Sequence, residues 1–184
     1  PIPGIIDPAE PYTSRVKLSF APPAAFAQLA LRYFYHYGIK IEEGKRTLAK
    51  IAVKNHYNGS LNPKAQFQRR INLEEALNAP IVAYPLGLYD CCGITDGAAA
   101  AIITRADLAK NYRDDYVLVK GVGMSSGMYQ GEIQDDWSLT YFEENVRASR
   151  KAYSEAGIED PRKDLDLAIV HDCFTITELV IYED

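Results

Sequence analysis

The feature that most constrains the fold is an alternation in the second half of the chain. Three short apolar runs, Ala98–Ile103 (AAAAII), Tyr116–Gly123 (YVLVKGVG) and Leu165–Val170 (LDLAIV), each precede a stretch with helical spacing. Runs of this length suit strands covered on both faces, because a strand buried on one face alone alternates apolar with polar residues. Strand, helix, strand, helix, strand, helix predicts an α/β fold with a mostly parallel sheet and helices on both of its faces. The alanine run would suit a helix by propensity, but it is short for a free helix, and small residues let neighbouring elements approach closely. Thr140-x-x-Glu143 has the form of a capping box and predicts a helix to about Ala156. Phe142, Val146, Ser149 and Tyr153 share one side of that helix, and Gly157 stops it.

The first half is richer in helices. Residues 1–22 carry five of the ten prolines and read as an extended surface segment. From Ala24 to Tyr37, apolar residues Phe26, Leu29, Ala30, Tyr33, Phe34 and Tyr37 recur at three- and four-residue steps, with Pro23 at the start and Gly38 as the stop. A second helix is predicted from about Glu42 to Asn58, with Leu48, Ile51 and Ala52 on one face and Gly59 at its end. Asn72–Glu75 reads as a short helix, and Ile81–Asp90 as extended. The chain starts at Pro1 and stops at Glu183–Asp184 within an apparent helix. An acidic stop is unfavourable at the negative end of a helix dipole, so the chain reads as an internal piece of a longer protein.

Composition narrows the classes of partner. Net charge is −5 and there is no long basic run, which argues against nucleic acid. No apolar run approaches the roughly 20 residues needed to span a bilayer. The three cysteines, Cys91, Cys92 and Cys173, are too few and too awkwardly spaced for a disulfide framework. A reducing cytoplasm is the expected setting.

Chemistry concentrates at Leu167–Leu179 (LAIVHDCFTITEL), where an apolar run ends in His171, Asp172 and Cys173 before a helix at Thr175. In parallel α/β proteins, ligands sit at the carboxyl ends of strands, close to helix N-termini. His171 therefore reads either as a site residue or as a strand-end histidine with satisfied hydrogen bonds. Cys173 and His171 stand two apart and point the same way on an extended segment. A catalytic thiolate, however, needs activation and access, and a small packing residue beside Phe174 is the better reading of Cys173. A metal site from Cys91, Cys92, His171 and Cys173 lacks the usual ligand spacing, so no metal is expected. The turn Cys92-Gly93-Ile94-Thr95-Asp96-Gly97 permits close approach of backbone to a ligand but lacks the spacing of a phosphate loop. His56 reads as a helix-face residue.

Taken together, these motifs resemble one family. DCCGITDGAAAAIITRAD (Asp90–Asp107) resembles the D-C-C-x-x-S-D-G-A-A-A segment of the sterol-carrier-protein-type thiolases. LDLAIVHDCFTITEL resembles the strand and H-D-C-F motif of the same branch, where most other thiolases have N-E-A-F. FAQLALRYFYHYGI and LAKIAVKNHYNGSLNPKAQF resemble the helices of the thiolase loop domain, including its K-N-H-x-N.

The resemblance implies a partial thiolase-like fold. Residues 1–89 would be the helix-rich loop-domain region, 90–115 the end of the N-terminal half, and 116–184 the start of the C-terminal half. It implies a thiolase-like acyl-CoA C-acyltransferase of the acetyl-CoA acetyltransferase type, making or cleaving C–C bonds through thioesters. Acyl-CoA would be a substrate, with no cofactor. The family's cysteine nucleophile, second cysteine and G-H-P histidine are not in this sequence, so the chain alone is expected to be inactive. By resemblance, His171 takes the place of the N-E-A-F asparagine and contributes to an oxyanion hole. Cys92 and Gly93 stand where coenzyme A contacts are expected, and Met124 and Met128 where the acyl pocket would be lined. A homo-oligomer is expected, and some members of the branch pair with a small OB-fold and zinc-ribbon protein. Two alternatives remain open: a thiolase-fold aldolase or lyase acting on acyl-CoA without a cysteine nucleophile, and a non-catalytic module binding acyl-CoA or a partner protein.

Overall fold

Burial follows the spacing of apolar residues wherever one helix can meet another. The computed structural model describes residues 22–127 and 139–184. Helix α1, Pro22–His36, buries Ala27, Leu29, Ala30, Tyr33 and Phe34. This is the face that the three- and four-residue steps predict. Gly38 follows at φ 64°, a left-handed conformation that glycine adopts without a Cβ penalty. The Ile39 N–H donates to Phe34 O at 2.8 Å and closes the helix end.

Helix α2, Ile41–Leu61, buries Leu48, Ile51 and Ala52, as the spacing predicts, together with Gly44 and Ala49. It continues through Gly59, which the sequence reading takes as its stop. A Cβ at Gly59 would come within 2.7 Å of the Phe67 carbonyl, so this glycine serves close packing of the following loop. Helix α3, Leu73–Leu77, is capped by the Asn72 side chain, which accepts from the Glu75 N–H at 2.8 Å. The extended segment predicted at Ile81–Asp90 is a small hairpin and a turn. Strands β1, Ile81–Ala83, and β2, Leu86–Gly87, pair antiparallel with Ile81 opposite Gly87 and Ala83 opposite Leu86.

Helix α4, Glu143–Ala156, begins two residues later than a capping box at Thr140 would place it. The Phe142 N–H donates instead to Asp184 Oδ2 at 3.0 Å. The side predicted for α4 is only half-buried at Val146, Ser149 and Tyr153. A short helix α5, Pro161–Asp164, follows, and helix α6, Thr175–Ile181, begins at the predicted residue.

The mostly parallel sheet with helices on both faces does not form among the described residues. Their one sheet is the β1–β2 hairpin. Ala98–Ile103, Tyr116–Gly123 and Leu165–Val170 carry no strand assignment. Their large side chains stand in solvent: Ile102 is 89% exposed, Val117 90% and Leu167 75%. The physical reason is that a strand's N–H and C=O groups bond to neighbouring strands, whereas a helix satisfies its own.

The chain divides into two compact units. Of the described residues, the first comprises 22–92, 127, 139–142 and 169–184; the second comprises Gly93–Ser126 and Glu143–Ala168. The first holds a core of Leu29, Tyr33, Phe34, Leu48, Leu86, Phe174, Ile176 and Val180. Fully burying one such side chain contributes about 1.5–3 kcal/mol before entropy is counted. In the second unit, the segment at Gly121–Met124 lies against α4. A Cβ at Gly123 would fall 1.8 Å from the Ala148 carbonyl, so only glycine fits that approach.

Candidate functional site

The motif His171-Asp172-Cys173-Phe174 enters α6 along a short ribbon formed with Asp90-Cys91-Cys92. Cys91 and Phe174 form an isolated antiparallel bridge, and the Cys92 N–H donates to Cys173 O at 2.9 Å. Asp90 ties the two segments further. Its Oδ1 accepts from Thr175 Oγ1 at 2.7 Å, and its Oδ2 accepts from the Gly87 N–H at 2.8 Å. Burial pushes the Asp90 carboxyl above its ordinary range despite those two donors. Phe174 is 4% exposed and stacks on Phe26, with ring centroids 4.3 Å apart. Two motifs that lie some eighty residues apart in sequence thus form one structural piece.

Burial favours the neutral form of two of the thiols, Cys91 and Cys173. Burial, then Asp90, pushes Cys91 up to about 11. Burial also raises Cys173, whose Sγ lies 3.6 Å from Thr177 Oγ1. A neutral, half-buried thiol is a poor nucleophile. Cys92 is exposed. Among the described residues, no group of three or more His, Cys, Asp or Glu side chains is placed to hold a metal ion.

His171 is exposed at the end of the ribbon, next to exposed Asp172. The first-turn N–H groups of α6 at Thr177 and Glu178 both donate to the Phe174 carbonyl, so they are already engaged. What stands behind His171 and Asp172 is a polar cluster from α2. Asn55 Nδ2 donates to Asp172 Oδ2 at 2.6 Å and to Glu178 Oε2 at 2.6 Å. Lys54 Nζ forms an ion pair with Glu178 Oε1 and donates to Tyr182 Oη at 3.0 Å. Tyr182 in turn donates to Glu178 Oε1. Glu178 is 1% exposed. Burial acts to raise its carboxyl, but the bonds from Lys54, Tyr182 and Asn55 outweigh burial and hold it below the ordinary glutamate range. Asp172 moves the other way, raised by burial and then by the Glu178 charge.

Of the residues singled out from sequence, His171 and Cys92 lie in the first unit, while Gly93 and Met124 lie in the second. Met124 is 87% exposed and lines an open hollow with Val122, Lys151, Ser154 and Glu155. Met128 lies outside the described residues. Sequence reasoning missed Glu178 and the pairing of Lys54 and Asn55 with it. The K-N-H signal was visible, but nothing in spacing joins position 55 to position 178. His56, in the same motif, lies 3.0 Å through Nδ1 from the Arg69 carbonyl and meets Tyr89 edge-on at 5.3 Å, a packing role. No described helix is long and apolar enough to cross a membrane.

Comparison with known proteins agrees with the motifs. Residues 125–184 match the family model described as thiolase C-terminal domain-like. An acetyl-CoA acetyltransferase of Methanothermobacter thermautotrophicus is 40% identical over 162 residues, covering 88% of this chain and 40% of the relative. Sterol carrier protein 2 of Oryctolagus cuniculus is 30% identical over 164 residues, covering 88% of this chain and 29% of the relative. Among solved structures, an Ltp2-ChsH2(DUF35) aldolase aligns with a TM-score of 0.74 and 26% identity, covering 98% of this chain and 47% of that one. The chain therefore spans 40% or less of the length of these curated relatives. With the D-C-C and H-D-C-F motifs joined in one ribbon and these relatives matching across most of its length, the chain belongs to the thiolase superfamily.

Proposed function

We propose that this chain serves a thiolase-type acyl-CoA C-acyltransferase, in which His171 donates to the oxyanion that forms on the thioester carbonyl. The observation that carries this reading is the exposed His171 at the end of a ribbon locked by the Cys92–Cys173 and Asp90–Thr175 bonds. When a nucleophile attacks a thioester, negative charge develops on the carbonyl oxygen. A donor fixed near that oxygen beforehand stabilises the charge without reorganising during the reaction. Cys173, with its raised thiol, takes no nucleophilic part in this reading. Cys92 and Gly93 would contact coenzyme A, and Met124 with Met128 would line the acyl pocket. No further cofactor or metal enters the proposal. The intact protein would work as a cytoplasmic homo-oligomer, open to a small OB-fold and zinc-ribbon partner.

In the intact protein, His171→Ala is expected to lower kcat by roughly 10²–10³, the scale for losing one oxyanion-hole donor. Steady-state kinetics with an acyl-CoA thioester measures this, and an unchanged kcat removes the role.

The similarity to the Ltp2-ChsH2(DUF35) aldolase supports a second reading, a thiolase-fold aldolase or lyase acting on acyl-CoA. Dependence on free coenzyme A separates the two. Thiolytic cleavage consumes a thiol acceptor in each turnover, whereas retro-aldol cleavage proceeds without one.

A further inference from the structure

We propose that Asn55 is a positioning residue for His171, acting through Asp172; this rests on the reading of His171 given above. Two independent anchors hold the approach to α6. The first is the ribbon, which fixes the chain from Cys173 onward through the Cys92 N–H and the Phe174–Phe26 stack. The second is Asn55, whose amide nitrogen bonds both Asp172 Oδ2 and Glu178 Oε2 at 2.6 Å. Asp172 is the residue next to His171, and the ribbon bonds named above begin one residue later. Asn55 therefore extends the fixed backbone by one residue, to the position where the histidine leaves it.

The anchor itself is well founded. Glu178 is 1% exposed and bonded to Lys54 and Tyr182 as well as Asn55. Asn55 thus clamps an exposed carboxylate to a buried one that cannot move freely. The clamp also manages charge. Asp172 and Glu178 are like charges that repel unless a donor stands between them. The other titratable groups facing the pair are Lys54, Tyr182 and His171. Misplacing a catalytic group by about 1 Å can cost on the order of 10²-fold in rate, so a clamp one residue from the donor has leverage on kcat.

The test uses the intact protein with an acyl-CoA substrate varied from below KM to saturation. Asn55→Ala is expected to lower kcat about 10-fold or more while KM changes much less. The acid limb of the kcat profile should also move to higher pH. Without the shared donor, Asp172 beside Glu178 takes up its proton more readily. Asn55→Asp keeps the side-chain size and places a third carboxylate in the cluster. Its kcat should fall above neutral pH and recover as the pH is lowered. Circular dichroism checks the folding of both variants, and Asn55→Asp carries the test if Asn55→Ala does not fold. Wild-type kcat and an unmoved acid limb, in a protein where His171→Ala does lower kcat, would overturn the positioning role and leave the reading of His171 standing. A kcat loss with no pH shift would also overturn it, since a merely structural defect gives that result. If His171→Ala leaves kcat unchanged, both proposals fall together.

Discussion

The two compact units differ in what their apolar residues found. In the first, α1, α2 and α6 bring Leu29, Phe34, Leu48, Ile176 and Val180 together at 4% exposure or less. In the second, α4 has no fully buried residue, and the run Val117–Val119 stands 58–90% exposed. The apolar content is comparable, but the partners are not. Amphipathic helices meet as soon as two or three lie in one chain segment, because each satisfies its own backbone. A sheet forms only when strands lie side by side and exchange backbone hydrogen bonds with one another. Long exposed apolar runs mark surfaces that other elements cover.

This contrast can be broken at its strongest point. Phe34→Ala, in the first unit, is expected to destabilise by about 3–5 kcal/mol through lost burial and the cavity left behind. Chemical denaturation measures it, and a loss below about 1 kcal/mol would mean that the helical unit is no better packed than the second.

Next in size is the buried carboxylate that supports the site. Glu178→Gln removes the ion pair with Lys54 and weakens the bonds from Asn55 and Tyr182, at a cost of about 1–3 kcal/mol at neutral pH. The sign of the pH dependence follows from its lowered carboxyl. The stabilisation is present above the unfolded-state value, near 4.3 for an ordinary glutamate, and is lost as pH falls through the lower folded-state value. The difference between wild type and Glu178→Gln should therefore shrink on acidification. A difference that grows towards acid pH would contradict the arrangement of Lys54, Asn55 and Glu178.

The smallest effect belongs to the second unit. Val117→Ser in this 184-residue chain should change stability by less than about 0.5 kcal/mol, as surface substitutions do. The same substitution in a longer protein carrying the chain sharpens the comparison. A cost above about 1 kcal/mol there would show that residues beyond these cover the run.

Parts of the site were legible in advance and parts were not. The stops at Gly38 and Gly157, and the proline start of α1, read at Pro23 and found one residue earlier at Pro22, follow from capping chemistry, which acts within a few residues. The apolar faces of α1 and α2 follow from periodicity alone. The strand expectation for Ala98–Ile103, Tyr116–Gly123 and Leu165–Val170 recognised runs suited to burial, but burial needs neighbours. At the site, the H-D-C-F and D-C-C motifs were each visible. Their joining through Cys92 and Cys173 was not, because a hydrogen bond between residues 92 and 173 leaves no mark on local spacing. Glu178 was not singled out at all.

The sequence by itself determined where helices run, which faces are apolar, and which motifs mark the superfamily, since these depend on residues three to seven positions apart. Only the tertiary structure decided that Lys54 and Asn55 of α2 meet Glu178 of α6, that one amide serves two carboxylates, and that burial raises the thiols of Cys91 and Cys173. Those outcomes depend on desolvation and on charges brought close by folding, and both are properties of a place in the fold.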